Sequence, residues 1–486
     1  MPAGRPVGCT GWEDAAVSSR VVALVLAAGA SSRFGSPKPL ARLDGRPLLE
    51  HVLDAIREAG IARIVVVLGH AADEVEQGID WLDETIVRNR DPRHLSSSLQ
   101  VGLAAVEELD PRADAVLIAL GDQPRTRPEV IRALLVAARA GDRPVVVPRY
   151  AEGGGGNPIV LRREAFDLVD EVSGDRGLGP VLADHADLVE SVAVDGSNPD
   201  VDTVADLASL VWAERVRANR EQVDRVREVP DGTDFYAPVS GLFRDDPRRT
   251  DEPLLDVLRA MVEPGDVWLD IGAGAGRYAL PLALVAREVV ALDPSPAMLD
   301  ALAEQQAVHG IANVRIVRGH WPPEPGSDPD QALGQAPHAD VALIAHVGYD
   351  VEEIGPFLDA MDKAARRLCV AILMERPPAS AADPFWQRVH GVERIPLPAL
   401  SDFVALLRAR GREPEVTSFE RRARHFRSRE ELVKFLRRQL WIADGSAAEE
   451  RFQAALAELA EETADGWSIA GVRPSLVGLV TWTPRG

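Results

Sequence analysis

The sequence predicts an α/β protein of two domains in tandem, each doubly wound about a mostly parallel sheet. Three observations carry this. Strand-length apolar runs alternate with amphipathic helix-length runs from Val21 to about Leu210. The theme of apolar strand, glycine-rich turn and amphipathic helix occurs twice, opening at Val21 and again at Val267. The 486 residues suffice for two large domains, or for three of about 150 residues each.

The elements follow in order. Residues 1–20 read as a loose tail. Residues 21–210 form the first domain, 211–240 a linker helix and loop, and 241–486 the second domain. In the first domain Val21–Ala27 is a buried strand. Pro47 to Ala59 is a helix with Pro at its start and Gly60 just past its end. Its Leu48, Leu49, Val52, Leu53 and Ile56 form one apolar stripe. Ile64–Leu68 and Val116–Leu120 are buried strands, and Pro144–Pro148 is a shorter one. From about Ala205 to Glu228 runs a helix dense in Arg, Asp and Glu, which reads as a solvated connector. Residues 229–250 are rich in Pro, Asp, Gly and Arg, as at a domain boundary. Near the end, Ser428 and Glu431 form a capping box for a helix reaching Leu440.

Composition narrows the function. Lys and Arg total 54 against 76 Asp and Glu, a formal charge of -22. Nucleic-acid and anionic-membrane binding draw mainly on clustered basic charge, so neither partner is expected. The one basic run, Arg421, Arg422, Arg424, His425, Arg427 and Arg429, reads as a solvated face before it reads as a site for an anionic substrate. The two cysteines, Cys9 and Cys369, build neither a disulfide framework nor a metal site. The longest apolar run, about Val21 to Ala30, is far short of the roughly 20 residues that span a bilayer. With Glu13 and Asp14 ahead of it, that run is a first strand rather than a signal peptide, and a cytoplasmic location is expected.

The first strand runs into Ala27-Ala28-Gly29-Ala30-Ser31-Ser32-Arg33-Phe34-Gly35-Ser36-Pro37-Lys38. Small residues let the backbone approach a ligand, and their N–H groups, with Arg33 and Lys38, suit a triphosphate. The spacing is not that of a Walker A loop. Asp122 follows the strand Val116–Leu120 directly, where α/β sheets bind ligands. Asp200, Asp202 and Asp206 offer a second carboxylate, and two carboxylates with substrate phosphates are the usual way Mg²⁺ is held. The plainer alternatives are a tight strand-to-helix turn and a helix-capping aspartate.

Leu26-Ala-Ala-Gly29, Arg33-x-Gly35-x-x-Lys38 and Gly121-Asp122 closely resemble the MobA-like NTP transferases. His94-Leu-Ser-Ser-Ser-Leu-Gln-Val-Gly102, Gly156-Asn157-Pro158, Gly174-Asp175-Arg176-Gly177 and Val201-Asp202-Thr203 match the same family in the same order. The resemblance implies a Rossmann-like fold and transfer of a nucleotidyl group from an NTP to a phosphorylated acceptor, releasing pyrophosphate; for many members that acceptor is the molybdopterin cofactor. By position it assigns Ala28, Gly29, Arg33 and Lys38 to the triphosphate, with Lys38, Arg33 and Asp122 catalytic and Asp122 and Asp202 holding Mg²⁺. Ala27-Ala28-Gly29 and Ser96-Ser97-Ser98 resemble the cytidylyl branch, which favours CTP over GTP. Gln123 stands where Met is expected, which loosens the assignment of the acceptor. A sugar-phosphate nucleotidyltransferase is the alternative enzyme, and a non-catalytic maturation factor for a molybdoenzyme is the alternative of another class. Small molecules, and a molybdoenzyme apoprotein as recipient, are the partners implied.

The second glycine theme is Val267-Trp268-Leu269-Asp270-Ile271-Gly272-Ala273-Gly274-Ala275-Gly276-Arg277, followed by the strand Glu288–Leu292 and Asp293. An acid ending the second strand can take the hydroxyls of a ribose. Arg277 and Asp270 fit a dinucleotide fingerprint poorly. The pattern resembles the class I S-adenosylmethionine-dependent methyltransferases. That resemblance assigns Gly272, Gly274 and Gly276 to the cofactor's methionine part, Asp270 to its amino group and Asp293 to its ribose. The family's usual Gly-Asp after the third strand is here Gly319-His320-Trp321. His346 and Tyr349 follow the fourth strand, where they are either a base and substrate contact or packing residues.

Overall fold

The structure is a computed structural model that describes residues 20–29, 31, 34–153, 155–230, 244–323, 339–421, 425–471 and 474–485. Arg33, Cys9, Arg422, Arg424, most of the expected tail and the latter part of the expected linker lie outside those residues. The chain divides into two compact units, Met1–Leu207 and Ala208–Gly486.

The first unit is built on a seven-stranded sheet. Across it run Thr85–Arg88, Ile64–Leu68, Val21–Ala27, Ala115–Leu120, Ile159–Arg162, Val145–Tyr150 and Val189–Val194. Only Ile159–Arg162 runs antiparallel to its neighbours. Val22 to Val25 and Val65 to Leu68 are wholly buried, as expected where helices cover both faces of a parallel sheet. The helix Leu48–Glu58 lays Leu49, Val52, Leu53 and Ile56 on one face, and Leu95–Leu109 lays Leu99, Leu103 and Val106 on the other. The strand order reverses at Val21–Ala27. A crevice therefore opens at the carboxyl ends of that strand and Ala115–Leu120.

The second unit repeats the plan. Its order is Val314–Arg318, Glu288–Asp293, Val267–Ile271, Ala339–Ala345, Ala365–Met374, Ser475–Trp482 and Glu415–Arg421. The first five strands are parallel, and Ser475–Trp482 runs antiparallel to both of its neighbours. Here the order reverses at Val267–Ile271. The helices Asp383–His390, Arg429–Leu440 and Ala447–Leu459 enclose a separate small core around Trp386, Leu436 and Phe452. Among the described residues no helix is long and apolar enough to cross a membrane.

The charged helix is not a solvated connector. It spans Val204–Val226 and buries Leu210, Trp212, Ala213, Val216, Asn219 and Gln222. Trp212 and Val216 belong to the second unit's main core. The Trp212 indole N–H donates to the Val351 carbonyl at 2.9 Å, and its ring meets Phe403 edge-on at 6.2 Å. Gln222 donates to the Glu393 carbonyl at 2.7 Å and accepts from Ile395 N–H at 2.8 Å. The charges that suggested exposure are partly spent on ion pairs, as where Arg220 reaches Glu352 at 2.6 Å. Trp212→Ala should therefore cost about 3–5 kcal/mol, the usual penalty for emptying a core site of this size. A thermal melt should show the second unit's transition falling, and an unchanged melt would mean the helix is peripheral.

Candidate functional site

Both candidate sites lie where the strand order reverses. In the first unit, Ala28 is buried and Gly29 is exposed on leaving the strand. Gly69, ending the neighbouring strand, abuts this turn. A Cβ on Gly69 would stand 2.2 Å from the Ala28 carbonyl oxygen, so only glycine allows the two loops to meet. Ser31 organises the turn from φ +49°. Its carbonyl accepts from Phe34 N–H at 2.9 Å, and its Oγ accepts from Lys38 N–H at 3.0 Å. Lys38 opens a short 3₁₀ turn, Lys38–Leu40, with Pro37 and Pro39 on either side.

The Lys38 side chain reaches two carboxylates distant in sequence. Its Nζ donates to Asp122 Oδ2 at 2.6 Å and to Asp202 Oδ1 at 3.0 Å. Burial works against the ammonium, but the two carboxylates outweigh it and raise the pKa above the ordinary lysine value. Asp122 and Asp202 are brought together by the backbone, because Val201 N–H donates to the Asp122 carbonyl at 3.1 Å. The three acids of the late segment then divide their work. Asp206 accepts from Thr203 N–H at 2.7 Å, a capping box with Thr203 that starts the helix. Asp200 takes the Gln123 amide at 2.8 Å, and burial followed by the nearby Asp122 raises its pKa. Asp202 is left beside Asp122. Among the described residues no group of three or more His, Cys, Asp or Glu side chains is arranged to hold a metal. A cation held by two carboxylates would draw the rest of its shell from substrate phosphates and water.

Next to this pair lies a cleft of about 540 Å³. Its walls are mostly aliphatic, including Leu95, Leu99, Ile118, Val147, Ile159 and Leu182. Asn157, Asp175, Arg176 and Asp200 supply polar side chains. Ser96, Ser97 and Ser98 lie in the first turn of the helix Leu95–Leu109. Asn89 holds Ser97 and Ser98 at 3.0 Å each. Gln123 is buried and bound to Asn198, which also donates to the Asn157 carbonyl at 3.3 Å. The Gln at this position thus ties three loops of the cleft together.

In the second unit, Gly272, Gly274 and Gly276 all have positive φ, at +73°, +54° and +84°. A Cβ on Gly272 would strike Val347 at 2.4 Å and one on Gly276 would strike Leu302 at 2.3 Å. Gly274 is different, because a Cβ there would only touch Met298, at 3.9 Å. Asp293 holds the loop in shape: its two oxygens accept from Gly274 N–H and Ser295 N–H, each at 2.8 Å. Asp270 is almost wholly buried, and its Oδ1 has no hydrogen-bond partner. Burial, then the neighbouring Asp293, pushes its pKa up to about 7. An orphaned carboxylate oxygen at the start of a glycine turn fits the ammonium of an amino acid.

The family profile for a MobA-like NTP transferase domain matches residues 23–189, and that for a methyltransferase domain matches residues 269–331. The chain joins a MobA-like NTP transferase domain to a methyltransferase domain. Bifunctional protein GlmU of Paracidovorax citrulli is 38% identical over 144 residues, 28% of this chain and 29% of that relative. The chain therefore spans less than a third of that relative's length. Among solved structures, Rv0371c from Mycobacterium tuberculosis in complex with manganese is 32% identical, with a TM-score of 0.35. The match covers 40% of this chain and 98% of that one. YcgJ of Bacillus subtilis is 14% identical with a TM-score of 0.34, covering 48% of this chain and 98% of that one.

The NTP transferase domain thus brings Ala28, Gly29, Lys38, Asp122 and Asp202 to one end of its sheet. The methyltransferase domain does the same for Asp270, Gly272, Gly274, Gly276 and Asp293. Tyr349 is a packing residue: it is buried, and its hydroxyl accepts from Met374 N–H at 2.6 Å. His346 differs. It sits at φ +59° at the end of Ala339–Ala345, with Nδ1 buried and lacking a hydrogen-bond partner. Burial first, then Arg421 and Arg277, lowers its pKa to about 3, so the ring is neutral. Trp321 packs against the core and donates its indole N–H to the Phe357 carbonyl at 3.2 Å.

Proposed function

We propose that the NTP transferase domain is a cytidylyltransferase. It would attach the CMP part of CTP to the phosphate of a molybdopterin-type acceptor. The observation that carries this is the meeting of Lys38, Asp122 and Asp202 beside a largely aliphatic cleft, whose wall includes their chain neighbours Leu120 and Asp200. A sugar phosphate presents hydroxyls on every side, and each needs a partner when buried. The cleft's aliphatic walls suit a flat heterocycle gripped at a few polar edges better than a polyol.

In this reading an oxygen of the acceptor phosphate attacks the α-phosphorus, and the bond to the bridging oxygen of the β-phosphate breaks to release pyrophosphate. The attacking phosphate is already an anion, so no side chain need remove a proton. Lys38 neutralises charge on the triphosphate, and the turn around Ala28 and Gly29 offers backbone close to it. Asp122 and Asp202 would hold the divalent cation, Mg²⁺ in this reading, which supplies charge neutralisation to the leaving pyrophosphate. The work is positioning and electrostatics.

For the methyltransferase domain we propose transfer of a methyl group from S-adenosylmethionine to a small molecule. Asp270 would anchor the cofactor's amino group and Asp293 its ribose. The neutral His346 is the candidate acceptor of the proton lost from the methylated atom. The partners of this reading are small molecules, together with an apoprotein that receives the completed cofactor, in the cytoplasm.

Calorimetric titration with CTP and with GTP, each with Mg²⁺, tests the central claim. Tight, Mg²⁺-dependent binding of CTP alone is the expected result. A preference for GTP would overturn the cytidylyl assignment, and binding of neither in the presence of acceptor would overturn the transferase reading.

A further inference from the structure

We propose that Lys38 is a built-in counter-ion that blocks the cation site until a polyphosphate draws it away, so that the divalent cation enters with the nucleotide rather than ahead of it. The proposal builds on the reading of Asp122 and Asp202 as the cation's carboxylates. It goes beyond that reading by giving the site an order of filling.

The geometry is direct. One ammonium lies 2.6 Å from Asp122 and 3.0 Å from Asp202. A small divalent cation sits roughly 2 Å from its carboxylate oxygens and so would claim the space between the same two oxygens. The two cations cannot share it, because like charges a few ångströms apart repel strongly in a half-buried setting. The Lys38 side chain is largely buried at 14% exposure, whereas Asp202 keeps 45% of its own. The lysine therefore fills the inner part of the pair, while one carboxylate edge stays open to solvent.

The lysine is also well placed to leave. Its backbone is fixed by the bond to Ser31 Oγ and by Pro37 and Pro39. Its four-carbon stem remains free to swing about that fixed point. Ser31, which fixes that backbone, follows closely on Ala28 and Gly29, which the proposed function sets against the triphosphate, so the new partner would arrive beside the lysine's own anchor. A triphosphate carries more negative charge than two carboxylates and competes for the ammonium. Once the ammonium moves, its charge no longer opposes a divalent cation between Asp122 and Asp202. Nucleotide and cation then favour each other's binding, and the effect is reciprocal.

The test uses the full chain and one substitution with two opposed readouts. Mn²⁺ binding without nucleotide is followed by the free-ion electron paramagnetic resonance signal. Binding of CTP without metal, in the presence of a chelator, is followed by calorimetry. Lys38→Met should tighten Mn²⁺ binding by about tenfold or more, because the competing charge is gone. The same substitution should weaken metal-free CTP by about tenfold or more, because the ammonium no longer reaches the phosphates. Adding Asp202→Asn to Lys38→Met should remove the gain in Mn²⁺ affinity. A lysine that only held the loop in shape would lower both affinities, and that result overturns the proposal. Equal Mn²⁺ binding by the wild type and Lys38→Met overturns it too, while leaving Asp122 and Asp202 as cation carboxylates. Failure of all three proteins to bind Mn²⁺ removes the cation reading itself, and the proposal with it. Mn²⁺ gain in Lys38→Met without CTP binding by the wild type rejects the nucleotide step and so overturns the order of filling.

Discussion

Asp122→Ala is expected to reduce nucleotidyl transfer by about a thousandfold or more and to leave S-adenosylmethionine binding unchanged. A cation site that supplies several kcal/mol of charge stabilisation loses one of its two carboxylates, and about 4 kcal/mol corresponds to three orders of magnitude in rate. The same change removes the shorter of the two Lys38 contacts and releases the ammonium from its inner position. Asp122 lies at the end of a strand whose burial does not depend on it, so the fold should survive. Pyrophosphate release in a single turnover gives the first readout. Calorimetry with S-adenosylmethionine gives the second, with a thermal melt to show that the variant is folded. Loss of both activities together in a folded protein would refute two independent sites. Unchanged turnover would remove Asp122 from the chemistry and place the cation's carboxylates elsewhere.

The second large effect concerns Asp270. S-adenosylmethionine affinity should climb as pH rises from 6 to 8, by up to about tenfold per pH unit below the pKa near 7, because the cofactor's ammonium needs the ionised carboxylate. Without cofactor the sign is opposite. A carboxyl group that ionises near pH 7 in the fold, rather than near 3.8, favours the folded state most below pH 3.8. That advantage fades as pH rises to about 7 and is gone above it, a penalty of at most about 4 kcal/mol. Asp270→Asn should therefore raise the melting temperature of the cofactor-free protein at pH 8. It should also lower cofactor affinity at that pH by on the order of a hundredfold and flatten its pH dependence. A pH-independent affinity in the wild type, or an Asn variant that binds normally, would place the amino group elsewhere.

Much of this was legible in the sequence because the informative residues stand at strand ends. Val21–Ala27 and Ile64–Leu68 were recognisable as unbroken apolar runs, and the glycine turns after Val21–Ala27 and Val267–Ile271 announced both crevices. Asp270 and Asp293 stood in register with those turns. The Ser428 cap was also legible: Ser428 Oγ accepts from Glu431 N–H at 3.1 Å, though the Glu431 carboxylate closes on Arg427 N–H and not on the capping residue itself. What stayed hidden depends on contacts far apart in the chain. The resemblance of Val201-Asp202-Thr203 singled out Asp202, but the physical reason it differs from Asp200 and Asp206 lies in the contacts of Gln123, Thr203 and Lys38, which only the three-dimensional structure shows. The burial of Val204–Val226 was masked for a related reason. Its inward stripe mixes Trp212 and Val216 with Asn219 and Gln222, so the average polarity of the segment resembles a solvated face.

That helix sets a limit on how the protein can be taken apart. The border between the compact units falls at Leu207 and Ala208, inside one continuous helix and not in a tether. A recombinant fragment beginning at residue 241 would leave behind Trp212 and Val216. It would uncover the apolar groove around Phe403 and Val351 that they fill, and poor solubility would follow. A fragment begun near Thr203 keeps both the capping box and the buried stripe. Gene dissection aimed at assaying the methyltransferase alone should start there, so that a failure to express is not mistaken for an absence of activity.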